Sequence, residues 1–284
     1  MAGEPQLSYC AEEVRRNDRD RFLTALFASP ALREHLYSLY AFNIEVSKTR
    51  EVVSEAMLGA IRLQWWREAI EAIYDRKPAR QHAVVQALES TINACSLDRA
   101  YFERLIDGRM LDLETSPPSD LAALLDYADA TSGCLIILAL QALGAKVDEA
   151  SKQIAFEVGR AWSIVGTIRA MPYQLQRGWI MLPDDLVERY GVDRRAMLDL
   201  KPSPELAAAT KALSEEATKH LINARSNRRC IVRSAVPALL PAILADTYLK
   251  RLQRAENNVF DLRLADPPGI ATIRLAVAAI SARY

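Results

Sequence analysis

Glycine is scarce in this chain: 10 of 284 residues, about half the ~7 % of an average protein. Few phosphate-cradling loops and few tight hairpins follow, which disfavours a dinucleotide-binding or P-loop enzyme and an all-β fold. The four cysteines (Cys10, Cys95, Cys134 and Cys230) include no CxxC pair, and the three histidines stand apart. A zinc site or disulfide scaffold is therefore not expected. Charge of either sign is not in excess, with 36 basic and 36 acidic side chains. This argues against a nucleic-acid partner, which normally requires a basic surplus. The opening Met1-Ala2-Gly3-Glu4-Pro5 has neither a basic nor an apolar segment of a secretory signal. The most apolar windows, 134–145 and 235–245, fall short of the ~20 residues of a membrane span. The expectation is a cytoplasmic protein, at most peripheral at the inner face of the cytoplasmic membrane.

Half of the residues are apolar, and their spacing is helical. Ser29-Pro30 has the form of an N-cap followed by proline in the first turn. Leu32, Leu36, Leu39, Phe42 and Val46 then make one stripe. Ser54 opens a helix with Ile61, Trp65, Ala69 and Ile73 on one face. Ser203-Pro204 opens another with Leu206, Ala209, Leu213, Ala217 and Leu221. Further helices are expected near 9–28, 80–93, 97–115, 120–143, 148–171, 239–259 and 269–283. Breaks are expected at Pro78, Pro117-Pro118, Pro172, Pro202 and Pro267-Pro268. No strand run, repeat or linker stands out. The reading is all-α: one domain over residues 1–284, of roughly ten helices.

Two helices carry unusual faces. Tyr40, Asn43, Ser47 and Glu51 form a line from apolar to polar. On 154–171, which is nearly apolar all round, Gly159, Ser163, Gly166 and Ala170 form a small-residue face. Such a face either admits a neighbouring helix closely or leaves a cavity. Trp65-Trp66 point about 100° apart, one into the core and one to a half-exposed surface suited to a membrane interface or a partner. Arg225, Arg228, Arg229, Arg233, Lys250, Arg251 and Arg254 make the C-terminal third locally basic, a patch suited to anionic headgroups or simply a charged surface. His35 and His220 fall in helical stripes and read as structural.

Several segments in order resemble the squalene/phytoene synthase family: Leu39-Tyr40-Ala41-Phe42, Leu63-Gln64-Trp65-Trp66-Arg67, residues 105–114, and Gly178 to Pro183. Tyr127-Ala128, Ser132-Gly133 and Tyr248-Leu249 fit more loosely. The resemblance implies the isoprenoid synthase fold, with helices around a central cavity. It also implies two aspartate-rich motifs that hold Mg²⁺ against prenyl diphosphates. Each motif sets carboxylates four residues apart on one helix face. The first motif corresponds to Ser47-Lys48-Thr49-Arg50-Glu51, and the second to Ala170-Met171-Pro172-Tyr173-Gln174. Glu51 is the one carboxylate of the four positions Ser47, Glu51, Ala170 and Gln174. The resemblance further assigns Tyr40, Asn43, Arg169, Asp107 and Asp112 to the pocket or to contacts with a ligand headgroup.

Residues 41–46, 53–55, 61–66 and 167–173 are similar to the branch of that family containing the mitochondrial complex I assembly factor and its bacterial relatives. That similarity implies a non-catalytic scaffold without cofactor, acting with respiratory complex I subunits or assembly factors, or binding a lipid or isoprenoid. The alternative is an active head-to-head prenyltransferase of the phytoene or squalene type, for which Mg²⁺ is the cofactor.

Overall fold

A computed structural model describes residues 7–53, 55–226, 230–264, 269 and 271–284. Ser54, Arg228, Arg229, Pro267-Pro268 and Met1 to Pro5 lie outside the described residues. Every regular element among those described is helical.

The N-terminal segment is α1 (Tyr9–Asn17) and α2 (Arg19–Ala25), two helices where one was expected. Asp18 divides them. It leaves the helical conformation, and its carboxylate accepts from the Arg21 N–H to cap α2. Next come α3 (Pro30–Ser47), the short α4 (Thr49–Val52) and α5 (Ala56–Tyr74). Ser29 holds the cap position of α3, although its side chain makes no cap bond. The α3 stripe is buried as expected, apart from half-buried Leu32.

The second half of the expected α5 stripe, Ala69 and Ile73, is buried, whereas Ile61 is exposed and Trp65 half-buried. The buried face runs through Gly59, Leu63, Trp66, Ile70 and Ile73, and Ile61 faces outward. The large ring of Trp66 sets this rotation. It sits edge-on to Phe42 at 5.5 Å, and Phe42 sits edge-on to Phe102 at 5.5 Å.

Helices α6 (Ala83–Cys95) and α7 (Arg99–Met110) follow, with α7 ending in a 3-10 turn at Leu111–Leu113. Helices α8 (Leu121–Ala128) and α9 (Cys134–Ala142) are joined without a break by a π-turn, Asp129–Gly133. The joined helix, Leu121–Ala142, has mean hydropathy 1.5 over a membrane-length window, so it is longer than the apolar windows suggested. Its apolarity serves the core: every residue of α9 except Gln141 is buried, packed among α3, α7 and the next helix, α10 (Glu149–Leu175).

Helix α10 corrects the expected break at Pro172, since it runs through that residue to Leu175. A proline this close to a helix end forfeits one backbone bond, and the buried Met171 and Leu175 on either side keep the last turn docked. Helices α11 (Asp184–Tyr190) and α12 (Arg194–Leu198) were not anticipated, being too short to show a period. Helix α13 (Pro204–Ser226) buries all five residues of its expected stripe. Residues 233–239 form a 3-10 segment ahead of α14 (Pro241–Arg254), and α15 (Ala271–Ser281) packs on α14. Pro78 precedes α6 as expected.

The small-residue face of α10 does both things open to it. A Cβ on Gly159 would lie 2.6 Å from the Gly133 nitrogen, so this end is close-packed against the π-turn. A Cβ on Gly166 would meet nothing within 4 Å, so the other end borders empty space.

Candidate functional site

That empty space is the central cavity. Two adjoining chambers of about 190 and 110 Å³ share Arg109, Asp112, Tyr127, Gln174 and Met181 in their walls. The larger is bounded by Trp162, Ser163 and Gly166 of α10, with Arg21 of α2 opposite. The smaller is bounded by Ser47, Arg50, Glu51 and Trp179. Residues from both motif segments thus meet at one cavity, although they are more than 120 positions apart in the chain.

Each wall residue has a local reason for its place. Asp18, the cap of α2, also pairs with the Arg21 guanidinium at 2.6 Å. This directs Arg21 over the rings of Tyr40 and Trp162, 5.8 Å from each centroid. Arg109 forms the hub. It donates to the Tyr127 hydroxyl at 2.6 Å, to Asn43 Oδ1 at 3.2 Å and to Asp112 at 3.3 Å. The Tyr127 hydroxyl in turn donates to Asp112 at 2.8 Å. Burial opposes the charge on Arg109, but Tyr127 and Asp112 outweigh it and hold its pKa above the ordinary arginine value. Burial pushes the Tyr127 hydroxyl up, so it stays protonated and able to donate. Arg50 stacks on Trp179 at 4.4 Å and donates to the Glu114 carbonyl at 2.8 Å. Its partial burial pulls its pKa down.

Of the expected site residues, Ser47, Glu51, Gln174 and Asp112 line the cavity. Asn43 supports it through Arg109, and buried Tyr40 lies beneath Arg21. Ala170 sits on α10 between Gly166 and Gln174, half-buried. Glu51 is exposed and has no ion pair with a described residue. Ser47 donates back to the Ile44 carbonyl at 3.2 Å.

Two expected contacts do not reach the cavity. Asp107 lies two positions before Arg109, about 200° round α7, and pairs with Arg67 on the outer surface. Arg169 lies about 100° round α10 from Ala170. It pairs with Asp20 at 2.9 Å and covers the Tyr248 ring at 3.6 Å. Its charge is spent on tying α10 to α2 and α14.

Sequence reasoning missed Arg21, because nothing in a linear pattern joins residue 21 to residue 174. It also left Arg109 among the acidic positions of its helix, although Arg109 organises the wall.

The tryptophan pair and the histidines are structural. Trp66 is buried, and Trp65 is covered by Arg80 at 4.8 Å and by the His82 ring. His35 Nδ1 lies 3.0 Å from Thr91 Oγ1, and His220 Nδ1 lies 2.7 Å from Glu157 Oε2. Among the described residues, no three His, Cys, Asp or Glu side chains are grouped as a metal would require.

The squalene/phytoene synthase family profile matches residues 14–269. The NADH dehydrogenase (ubiquinone) complex I assembly factor 6 of Mus musculus is 29 % identical, over 97 % of this chain and 82 % of that protein. The presqualene diphosphate synthase of Rhodopseudomonas palustris is 25 % identical, over 78 % of this chain and 77 % of that enzyme. Among solved structures, a dehydrosqualene synthase in complex with ligand superposes with a TM-score of 0.83 at 18 % identity, covering 96 % of this chain and 95 % of that one. Squalene synthase HpnC from Alicyclobacillus acidocaldarius gives 0.77 at 19 %, covering 88 % and 93 %. With its helices ordered around a shared cavity and the family profile spanning nearly its whole length, this chain belongs to the squalene/phytoene synthase family and has the fold of those synthases.

Proposed function

We propose that this protein is a non-catalytic member of the family that acts in the assembly of respiratory complex I, from a cytoplasmic location. The observation that carries the reading is the donor set of the central cavity. Mg²⁺ requires several hard oxygen ligands in octahedral array and gives up its waters reluctantly. At the motif positions the cavity offers Ser47, Glu51 and Gln174. Its other carboxylate, Asp112, is already bonded to Arg109 and Tyr127. Arg21, Arg50 and Arg109 stand where a divalent cation would have to enter. These residues do not fit a Mg²⁺ cluster. Similarity to complex I assembly factor 6 over 97 % of the chain supports the assembly role.

Deleting the gene in its host and resolving respiratory complexes on native gels tests the assembly role. Loss of assembled complex I, restored by the wild-type chain and equally by a Glu51→Gln variant, is expected. Purified protein incubated with farnesyl or geranylgeranyl diphosphate and Mg²⁺ is expected to release no diphosphate. Turnover would establish the prenyltransferase reading instead.

A second reading, lipid or isoprenoid binding without chemistry, is favoured by two wall atoms. Arg109 Nε and Gln174 Oε1 are buried without a protein partner, which is costly unless water or a ligand satisfies them. Each chamber alone, at about 190 and 110 Å³, is below the ~300–1,000 Å³ usual for drug-sized ligands and suits a headgroup. Native mass spectrometry of the purified chain checks for one.

A further inference from the structure

The outer face of α15 is apolar and uncovered. Ile273, Val277 and Ile280 are 65, 62 and 72 % exposed. They recur at four and three positions, one stripe about 10 Å long. The opposite face, through Leu275 and Ala278, is buried against the body of the protein. The helix is therefore docked, and its second apolar face has no use in the fold. Arg233 donates to the Ile280 carbonyl at 2.7 Å, which brings the exposed 232–234 segment to the C-terminal end of the helix.

Cations outnumber anions around this stripe. Residues 271–284 contain no acidic side chain. Arg233 bonds to a carbonyl and Arg274 to the Thr247 hydroxyl at 2.6 Å. Exposed Arg283 follows the left-handed Ala282 that ends α15, its N–H bonded back to the Ala278 carbonyl at 2.9 Å. None of these three guanidinium groups pairs with a carboxylate among the described residues. The nearby Asp246 is already taken by Arg225 at 2.6 Å.

An apolar stripe flanked by unpaired cations, on a helix too short to span a bilayer, matches the pattern of a helix lying in a membrane interface. We propose that α15 docks this protein onto an anionic lipid surface, with Ile273, Val277 and Ile280 entering the acyl boundary and the exposed Arg233 and Arg283 meeting the headgroups, while half-buried Arg274 holds α15 to Thr247 of α14. A second copy of the chain is a poorer occupant, because a two-fold pairing of this face would bring the same exposed cations together. The inference does not depend on complex I or on the chemistry of the cavity.

The test is sedimentation of the full chain with vesicles of phosphatidylcholine alone and of phosphatidylcholine with phosphatidylglycerol. Binding to the anionic vesicles alone, weakening as salt is raised, is expected. The triple variant Ile273→Gln, Val277→Gln, Ile280→Gln keeps good helix formers on an exposed face and is expected to lose binding with an unchanged melting temperature. Arg283→Gln, at an exposed side chain without a hydrogen bond or ion pair among the described residues, is expected to weaken partitioning about fivefold, as one cation near a charged surface does. Equal binding to neutral vesicles, no binding to either, or a dimer that the triple variant dissolves would each overturn the proposal.

Discussion

Gly159 lies against Gly133 at a distance that leaves no room for a single carbon between the two backbones. Two turns further along the same helix face, Gly166 borders open cavity. The pair separates the two uses of a small residue and makes a differential prediction. Gly159→Ala presses a methyl onto backbone that cannot rotate away, and should cost about 1–3 kcal/mol as overpacking does. Gly166→Ala should be neutral or add up to ~1 kcal/mol, since it improves helix propensity without a clash. Urea denaturation of both variants checks the order.

The Arg109 hub should be a structural clamp on the cavity wall. Tyr127→Phe removes the hydroxyl that accepts from Arg109 and donates to Asp112. Both charged groups then lose a partner in a half-buried site, at about 1–3 kcal/mol. Thermal unfolding of Tyr127→Phe beside Tyr173→Phe, an exposed control, measures this.

Carboxylates supplied at the motif positions should offset the arginines of the smaller chamber and give it affinity for a cation. Wild-type protein is expected to show the same melting temperature with and without millimolar Mg²⁺. Ser47→Asp with Gln174→Asp places two further carboxylates beside Glu51 in the smaller chamber. This variant should melt lower without Mg²⁺, from like-charge repulsion, and rise with it, by the mass action of a ligand that binds only the folded state. A wild-type shift of equal size would contradict the account of the donor set.

The thiols should divide sharply. Burial pushes Cys10 and Cys134 up to about 12, so neither forms thiolate near neutral pH. Burial also raises half-buried Cys95, while Cys230 is exposed. Titration of native protein with a chromogenic disulfide at pH 8 should give one fast thiol, lost in Cys230→Ser. All four should react in denaturant.

Much of the architecture was legible because it rests on repetition along the chain. The α3 and α13 stripes each repeat over four turns, and their burial follows from 3.6-residue periodicity alone. Legibility failed where a neighbour outweighed the local pattern. On α5 the expected Ala69 and Ile73 are buried, but the place of Trp66 in the aromatic cluster with Phe42 and Phe102 leaves Ile61 outside. Pro172 reads as a break, yet packing of Met171 and Leu175 carries the helix past it. Helices α11 and α12 span two turns or fewer and leave no periodic trace.

The site divides along the same line. Residue types at positions 47, 51, 170 and 174 can be read without any coordinates, and so can their shortage of carboxylate oxygen. Folding alone decided that Ser47 and Gln174 share a cavity, that Arg21 joins them from the other end of the chain, and that Asp107 and Arg169 turn away to other partners. Helical periodicity is a property of neighbours a few residues apart. Which charges meet across a cavity depends on how whole helices are rotated and seated, and that is settled by the packing of the entire core.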